Sequence, residues 1–221
     1  MLYEVAAFAL AGDAVSGIRN GADVLLKSLF IALGGHRGLL VFNVLLVGGL
    51  IVLAARDMRR SGGRLRGSVF LGMTAESVAG GLVFGVVAGS ITAVLLGGIP
   101  LLAAAQIARL DLPTQLTISL GAGIYEELLF RVLLVGALMW GARRLLGLKP
   151  VPAGVLATVT GAFLFSAFHY IGPYGDPLEA GTFMFRFVAG LLFSAMYLLR
   201  GLGITAWTHA LYDVFLTLLQ A

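Results

Sequence analysis

Residues 38 to 55 read GLLVFNVLLVGGLIVLAA, with the amide of Asn43 alone among apolar side chains. As a helix this run nears the ~20 apolar residues needed to cross ~30 Å of hydrocarbon. It ends on RDMRRSGGRLR, the densest basic stretch in the chain. The same alternation continues. An interfacial start from Gly67 leads into a span near 76 to 97, with a partial helix after Pro100. Asp111 and Pro113 close a loop, and a long helix runs from Thr114 to about Ala142. Further spans are expected over 151 to 170, 181 to 199 and 203 to 219. Basic loops at 56 to 66, 143 to 149 and 200 alternate with acidic ones at 111 and 171 to 180, so about six spans obey the positive-inside rule with the basic loops cytoplasmic. Two full spans within 67 to 110 would break that alternation.

The first 35 residues have a different period. Asp13, Arg19, Asp23 and Lys27 keep charge to one side, while Val24, Leu25, Leu26, Leu29, Phe30 and Ile31 gather on the other. That pattern predicts an interfacial amphipathic helix. Glu4 comes early and no base precedes Arg19, unlike the basic start of a cleavable signal. The chain thus divides into residues 1 to 110, an amphipathic segment with the first membrane helices, and 111 to 221, where the ionisable residues of the spans collect.

Composition agrees with the pattern. The 221 residues are 59% hydrophobic and 12% charged, against about 25% charged in soluble domains, which predicts an all-α polytopic membrane protein. The net charge of +4 sits beside apolar segments, where it sets topology and gives no sign of a nucleic-acid partner. Without cysteine, disulfides, thiolate chemistry and Cys-type zinc sites are excluded. Abundant Ala, Gly, Leu and Arg suggest a GC-rich bacterial genome, and hence a bacterial inner (cytoplasmic) membrane.

Within the later spans lie Glu126, Glu127, Arg131, His169, Arg186, His209 and Asp213. Each charge at a span centre costs roughly 2.5 to 3.5 kcal/mol, so these groups should meet. Residues four apart share a helix face. Glu127 can therefore pair with Arg131, Phe165 lies over His169, and His209 lies over Asp213. Glu126 is turned ~100° from Glu127, toward a cavity. Arg186 either lines that cavity or pairs with an acid such as Glu127. Glu76 is expected at a membrane interface, His36 in a loop, and Tyr125 and Trp207 among core or interface aromatics.

Three polar stripes converging on one wet pocket suggest hydrolysis. A carboxylate beside a histidine can hold a water and take its proton, and an apolar surround makes a carboxylate a better base. A second histidine with an acid four residues on can donate to an oxyanion. Zinc held by Glu126, His169 and His209 is the alternative use of the same residues. Neither H-E-x-x-H nor a Gly-x-Ser element of rhomboid type occurs, and the three histidines are 36, 169 and 209. A proton relay or ion site is the non-enzymatic reading. Transporters commonly carry broken helices in paired halves, whereas this polar set lies wholly in the C-terminal half, which favours the enzyme.

EELLFR at 126 to 131 resembles the E-E-x-x-x-R signature of the CPBP family, the CAAX proteases and bacteriocin-processing enzymes also called Abi proteins. FSAFH at 165 to 169 is similar to its F-x-x-x-H element, HALYD at 209 to 213 to its H-x-x-x-N/D element, and RFVAGLLFSAMYL at 186 to 198 to the helix between the histidine motifs. The likeness covers about 114 to 217. It implies an intramembrane endopeptidase of glutamate type, needing no cofactor and acting on a membrane-anchored protein or peptide within the lipid bilayer. Glu126 would be the base, acting with His169 on water. His209 and Asp213 would bind or polarise the scissile carbonyl. Glu127 and Arg131 would hold the architecture, with Phe165 and Arg186 supporting the site. Eukaryotic CAAX proteases usually have Asn at the position of Asp213, and an ionised Asp offers no donor, so Asp213 is expected to orient His209. A relative that has lost catalysis, serving as an immunity or scaffold protein, is the third reading. For depth, Glu126 lies ~18 Å along its helix from Thr114, which places the site in the outer half of the membrane and favours an exported substrate, while His209, ~9 Å from Gly203, pulls inward.

Overall fold

A computed structural model describes residues 2–11, 19–60, 67–98, 110–172 and 175–220. Every regular element among them is helical: α1 (Leu2–Ala11), α2 (Gly21–Arg60), α3 (Gly67–Leu95), α4 (Leu112–Gly121), α5 (Gly136–Leu145), α6 (Pro150–Phe168) and α7 (Ala180–Gln220). The chain is an all-α polytopic membrane protein. Among the described residues four helices, Gly21–Gly49, Gly67–Leu95, Pro150–Phe168 and Ala180–Gln220, are long and apolar enough to cross a membrane. Their outward faces carry side chains such as Val86, Val94, Val151 and Leu199, all well over half exposed, as contact with lipid requires. The expected partial helix after Pro100, part of the basic stretch (61 to 66) and Asp13 lie outside the described residues.

Two long helices are broken by glycines in the left-handed region, which non-glycine residues adopt only with strain. In α2 the break is Gly35 (φ 57°, ψ −142°). The Phe30 and Phe42 rings lie 5.3 Å apart, although twelve residues of straight helix would separate them by ~18 Å. The halves of α2 therefore fold back on one another, with His36 at the bend. In α7 the break is Gly201 (φ 80°, ψ 174°), between the two spans expected at 181 to 199 and 203 to 219. It turns the second half back along the first, so that Phe193 stacks on His209 at 4.3 Å.

α4 and α5 are joined through two wide-turned segments, Ala122–Glu126 and Leu128–Val135, with i→i+5 bonding. Such π-helical turns are rare and cluster at functional sites. The start of α4 is capped by Asp111, which accepts from the Thr114 N–H at 3.2 Å and the Thr114 hydroxyl at 2.7 Å. Those bonds hold the exposed Asp111 carboxyl below its ordinary range.

Small residues let the helices meet closely. α3 crosses α7 through Phe84 stacked on Phe193 at 4.0 Å, and Gly81 abuts Leu211 and Tyr212. Against α7 a close approach is at Gly123, where an added methyl would stand 2.3 Å from the Ala206 carbonyl oxygen and 2.6 Å from Ala210 Cβ. Gly123→Ala is therefore expected to force α7 away and lower stability by about 1 to 3 kcal/mol, read as a lower melting temperature in detergent.

The N-terminal segment differs from the amphipathic expectation. Arg19, Asp23 and Lys27 do share one face, but that face turns inward. Asp23 is fully buried, hydrogen-bonded at Oδ2 by Arg19 at 3.0 Å and the Tyr3 hydroxyl at 2.8 Å, with Lys27 paired to Oδ1 by charge alone at 2.6 Å. Glu4 accepts from Lys27 at 2.9 Å, from Arg19 at 3.3 Å and from the Tyr125 hydroxyl. Burial pushes the Glu4 carboxyl up, but the bonds from Tyr125 and Lys27 outweigh it and hold it below its ordinary range. Two acids and two bases cancel, so the stripe can be buried against α1 and the wide-turned segment that carries Tyr125, where a lone charge could not. The polar set thus extends into the N-terminal half.

Candidate active site

Glu126 and Glu127 lie at the junction of the two wide-turned segments, buried to 6% and 0% exposure. They face different partners, as their angular offset predicts. Glu127 makes two contacts: Oε2 lies 3.1 Å from Arg131 Nε and Oε1 lies 2.7 Å from His209 Nδ1. The Arg131 pair is within ionic distance but misaligned for a hydrogen bond. The guanidinium is held instead by charge and by ring faces, 4.3 Å from the Phe165 centroid and 5.4 Å from that of Phe193.

Helical spacing predicts that His209 takes its orientation from Asp213. The ring's Nδ1–H donates to Glu127 instead, while Asp213 Oδ2 stands 3.6 Å from Nε2 on the other side of the ring. An ionised carboxylate only accepts, so Glu127 fixes Nδ1 as a protonated nitrogen. Stacking on Phe193 sets the ring plane.

His169 follows the last turn of α6. Its Nδ1 lies 2.8 Å from the Phe165 carbonyl and its ring meets Phe165 edge-on at 4.9 Å. A carbonyl accepts only, so Nδ1–H donates and Nε2 of the neutral ring is an acceptor. Nε2 faces Glu126 Oε2 across 3.8 Å, and that oxygen is buried without a hydrogen-bond partner. Phe165 thus supports both His169 and Arg131. Arg186 does not pair with Glu127: it bonds Asp176 of the loop before α7 and lies over the Tyr170 ring at 5.2 Å. Asp176 N–H in turn donates to the His169 carbonyl at 3.0 Å, tying Arg186 to the end of α6. Glu76, expected at an interface, pairs with exposed Arg200 beside the α7 break, at 2.6 Å from its Nε.

One contact has no counterpart in the sequence pattern. Asn20 Nδ2 donates to Glu126 Oε1 at 2.8 Å, across 106 positions of sequence. The run NGAD at 20 to 23 before an apolar stretch marks a helix start, and Asn20 does cap α2, accepting from the Ala22 N–H at 2.9 Å. Nothing local signals that its amide reaches Glu126. Among the described residues, no three His, Asp or Glu side chains are grouped as a metal-ligand set. His209 turns Nδ1 to Glu127 and Nε2 toward Asp213, which does not fit the zinc arrangement of Glu126, His169 and His209.

Fold and site together define a polytopic helical membrane protein with a buried Glu/His/Arg cluster among its C-terminal helices. Residues 108–215 match the family described as type II CAAX prenyl endopeptidase Rce1-like. This stretch, just under half of the chain, is thus similar to the CAAX-protease (CPBP) family, intramembrane peptide hydrolases that act on membrane-associated proteins. No curated protein and no solved structure matches it.

Proposed function

We propose that the chain hydrolyses a peptide bond of a membrane-anchored protein or peptide by a water that Glu126 and His169 activate together. The observation that carries this reading is the pair of opposed acceptors, Glu126 Oε2 and His169 Nε2, 3.8 Å apart. With the imidazole neutral, neither can bond the other, whereas one water can donate a hydrogen to each. Its oxygen lone pairs then remain free to attack.

In the reaction that follows, the water oxygen bonds to the scissile carbonyl carbon while Glu126 Oε2 takes its proton. The carbonyl π electrons move to oxygen, and the resulting oxyanion needs a donor. The Nε2–H of a protonated His209 supplies it, and Asp213, whose Oδ2 faces that nitrogen across 3.6 Å, stabilises the imidazolium by charge where an amide would donate directly. The tetrahedral carbon collapses, its C–N bond breaks, and the proton on Glu126 passes to the leaving nitrogen. The products are a carboxylic acid and an amine. Residues 111 to 221 supply the reacting groups and residues 1 to 110 their support, in what we take to be a bacterial cytoplasmic membrane. Arg131, Glu127, Phe165 and Arg186 hold the reacting groups in place.

The test is cleavage of a library of membrane-anchored peptides by purified protein in detergent, comparing wild type with His169→Ala, with and without chelator. His169→Ala is expected to lose cleavage about 10²- to 10⁴-fold, and chelator to leave the wild type unchanged. Loss on chelation with recovery on zinc would transfer water activation to a metal held by Glu126, His169 and His209.

A further inference from the structure

We propose that Asn20 is a positioning residue for Glu126: its amide occupies Oε1 and thereby leaves Oε2 as the oxygen that meets the water. The inference rests on the protease reading above. The bond is 2.8 Å long and buried. A carboxylate free to rotate about its last torsion exchanges its two oxygens, a torsion that is broad and nearly two-fold. A fixed N–H on one oxygen breaks that equivalence and holds the carboxylate plane against His169.

Asn20 is itself held on every side. Its backbone N–H meets the Tyr3 hydroxyl at 3.3 Å, its carbonyl accepts from the Val24 N–H at 3.1 Å, and its side-chain oxygen caps α2. With that oxygen engaged, the amide nitrogen is the group turned toward Glu126. Tyr3 ties the same segment to Asp23, and Asp23 to Arg19 and Lys27. On the core side, Tyr125, next to Glu126 in sequence, bonds Glu4. The contact is also sterically prepared. A methyl on Gly121 would stand 2.6 Å from Tyr3 and 2.9 Å from Asn20 Cβ, and one on Gly21 would stand 3.3 Å from Phe168, next to His169. A glycine at each of these two positions lets the segment come this close to Glu126 and His169. The buried charge network of the N-terminal segment, which the hydrolytic step does not use, thus acquires a purpose in fixing one amide.

Capping and positioning are separable. Serine caps helices about as well as asparagine, but its hydroxyl is too short to span the distance to Glu126. Asn20→Ser is therefore expected to keep the helix cap and KM, with a melting temperature lowered only by the one lost bond, while kcat falls roughly 10- to 100-fold, the range for losing a hydrogen bond to a charged group. Asn20→Asp keeps size and capping and should fall at least as far, because a carboxylate has no donor for Glu126. Infrared spectra supply a readout that does not depend on turnover. The carboxylate stretch of Glu126, assigned by its loss in Glu126→Gln, should shift in Asn20→Ser. An unshifted band, or unchanged kcat in a wild type that cleaves, overturns the proposal. A shifted band in a protein whose wild type cleaves nothing upholds the Asn20–Glu126 bond and removes the protease reading alone.

Discussion

Glu126→Gln lowers kcat for anchored-peptide cleavage about 10²- to 10⁴-fold, the contribution typical of a general base, and leaves the melting temperature unchanged. The two halves of this result have separate causes. Glutamine is nearly isosteric, and its side-chain oxygen still accepts from Asn20, so the contact made by Oε1 survives. Its nitrogen then takes the place of Oε2. That nitrogen carries two N–H groups, so it can donate to His169 Nε2 across the gap now 3.8 Å wide. The opposed acceptors disappear, and with them both the seat for a doubly donating water and the group that takes its proton. Single-turnover cleavage at saturating peptide separates the chemical step from binding. Activity within tenfold of wild type would remove Glu126 from the mechanism.

Much of this arrangement can be read along the chain, for one physical reason. Charges within apolar spans must find partners, and helical spacing says which face each one takes. Glu127 with Arg131, and Phe165 beneath His169, follow from i,i+4 neighbours alone. The breaks in α7 and α2 are legible too: Gly201 follows Arg200 between two expected spans, and Gly35 lies in GGHRG at 34 to 38, where the amphipathic segment ends, His36 is expected in a loop and the first span begins. Asn20 and Asp176 are illegible because their contacts join segments distant in sequence, and no local period encodes a tertiary hydrogen bond. The inward turn of Arg19, Asp23 and Lys27 has the same origin. A charged stripe reads alike whether it meets water or a set of balancing charges, and Glu4 and Tyr3, which decide between the two, come from another helix. His209 shows the limit of spacing arguments most directly. Asp213 is its i+4 neighbour, but Glu127 makes the hydrogen bond, because helix α7 packs its second half against the wide turns that carry Glu127.

Arg131→Ala should destabilise the protein by about 3 to 5 kcal/mol, the cost of removing one partner of a buried ion pair. Both side chains are essentially inaccessible, 1% for Arg131 and 0% for Glu127, so solvent screening gives no relief. The loss is compounded because Phe165 and Phe193 would face the space vacated by the guanidinium. The double variant Glu127→Gln with Arg131→Met tests whether charge or shape dominates. Replacing a buried pair by neutral groups of similar volume is often neutral or stabilising, so the double variant is expected to regain most of the lost stability in a denaturation titration. Activity should follow a different course. After Glu127→Gln the side-chain amide oxygen can still accept from His209 Nδ1, but without the carboxylate's charge, leaving the proton on His209 Nε2 less firmly held; cleavage should stay well below wild type even where the fold has recovered. Recovery of both together would mean that Glu127 acts only as a brace, and recovery of neither would mean that the Phe165–Arg131–Phe193 stack, more than the ion pair, holds the site together.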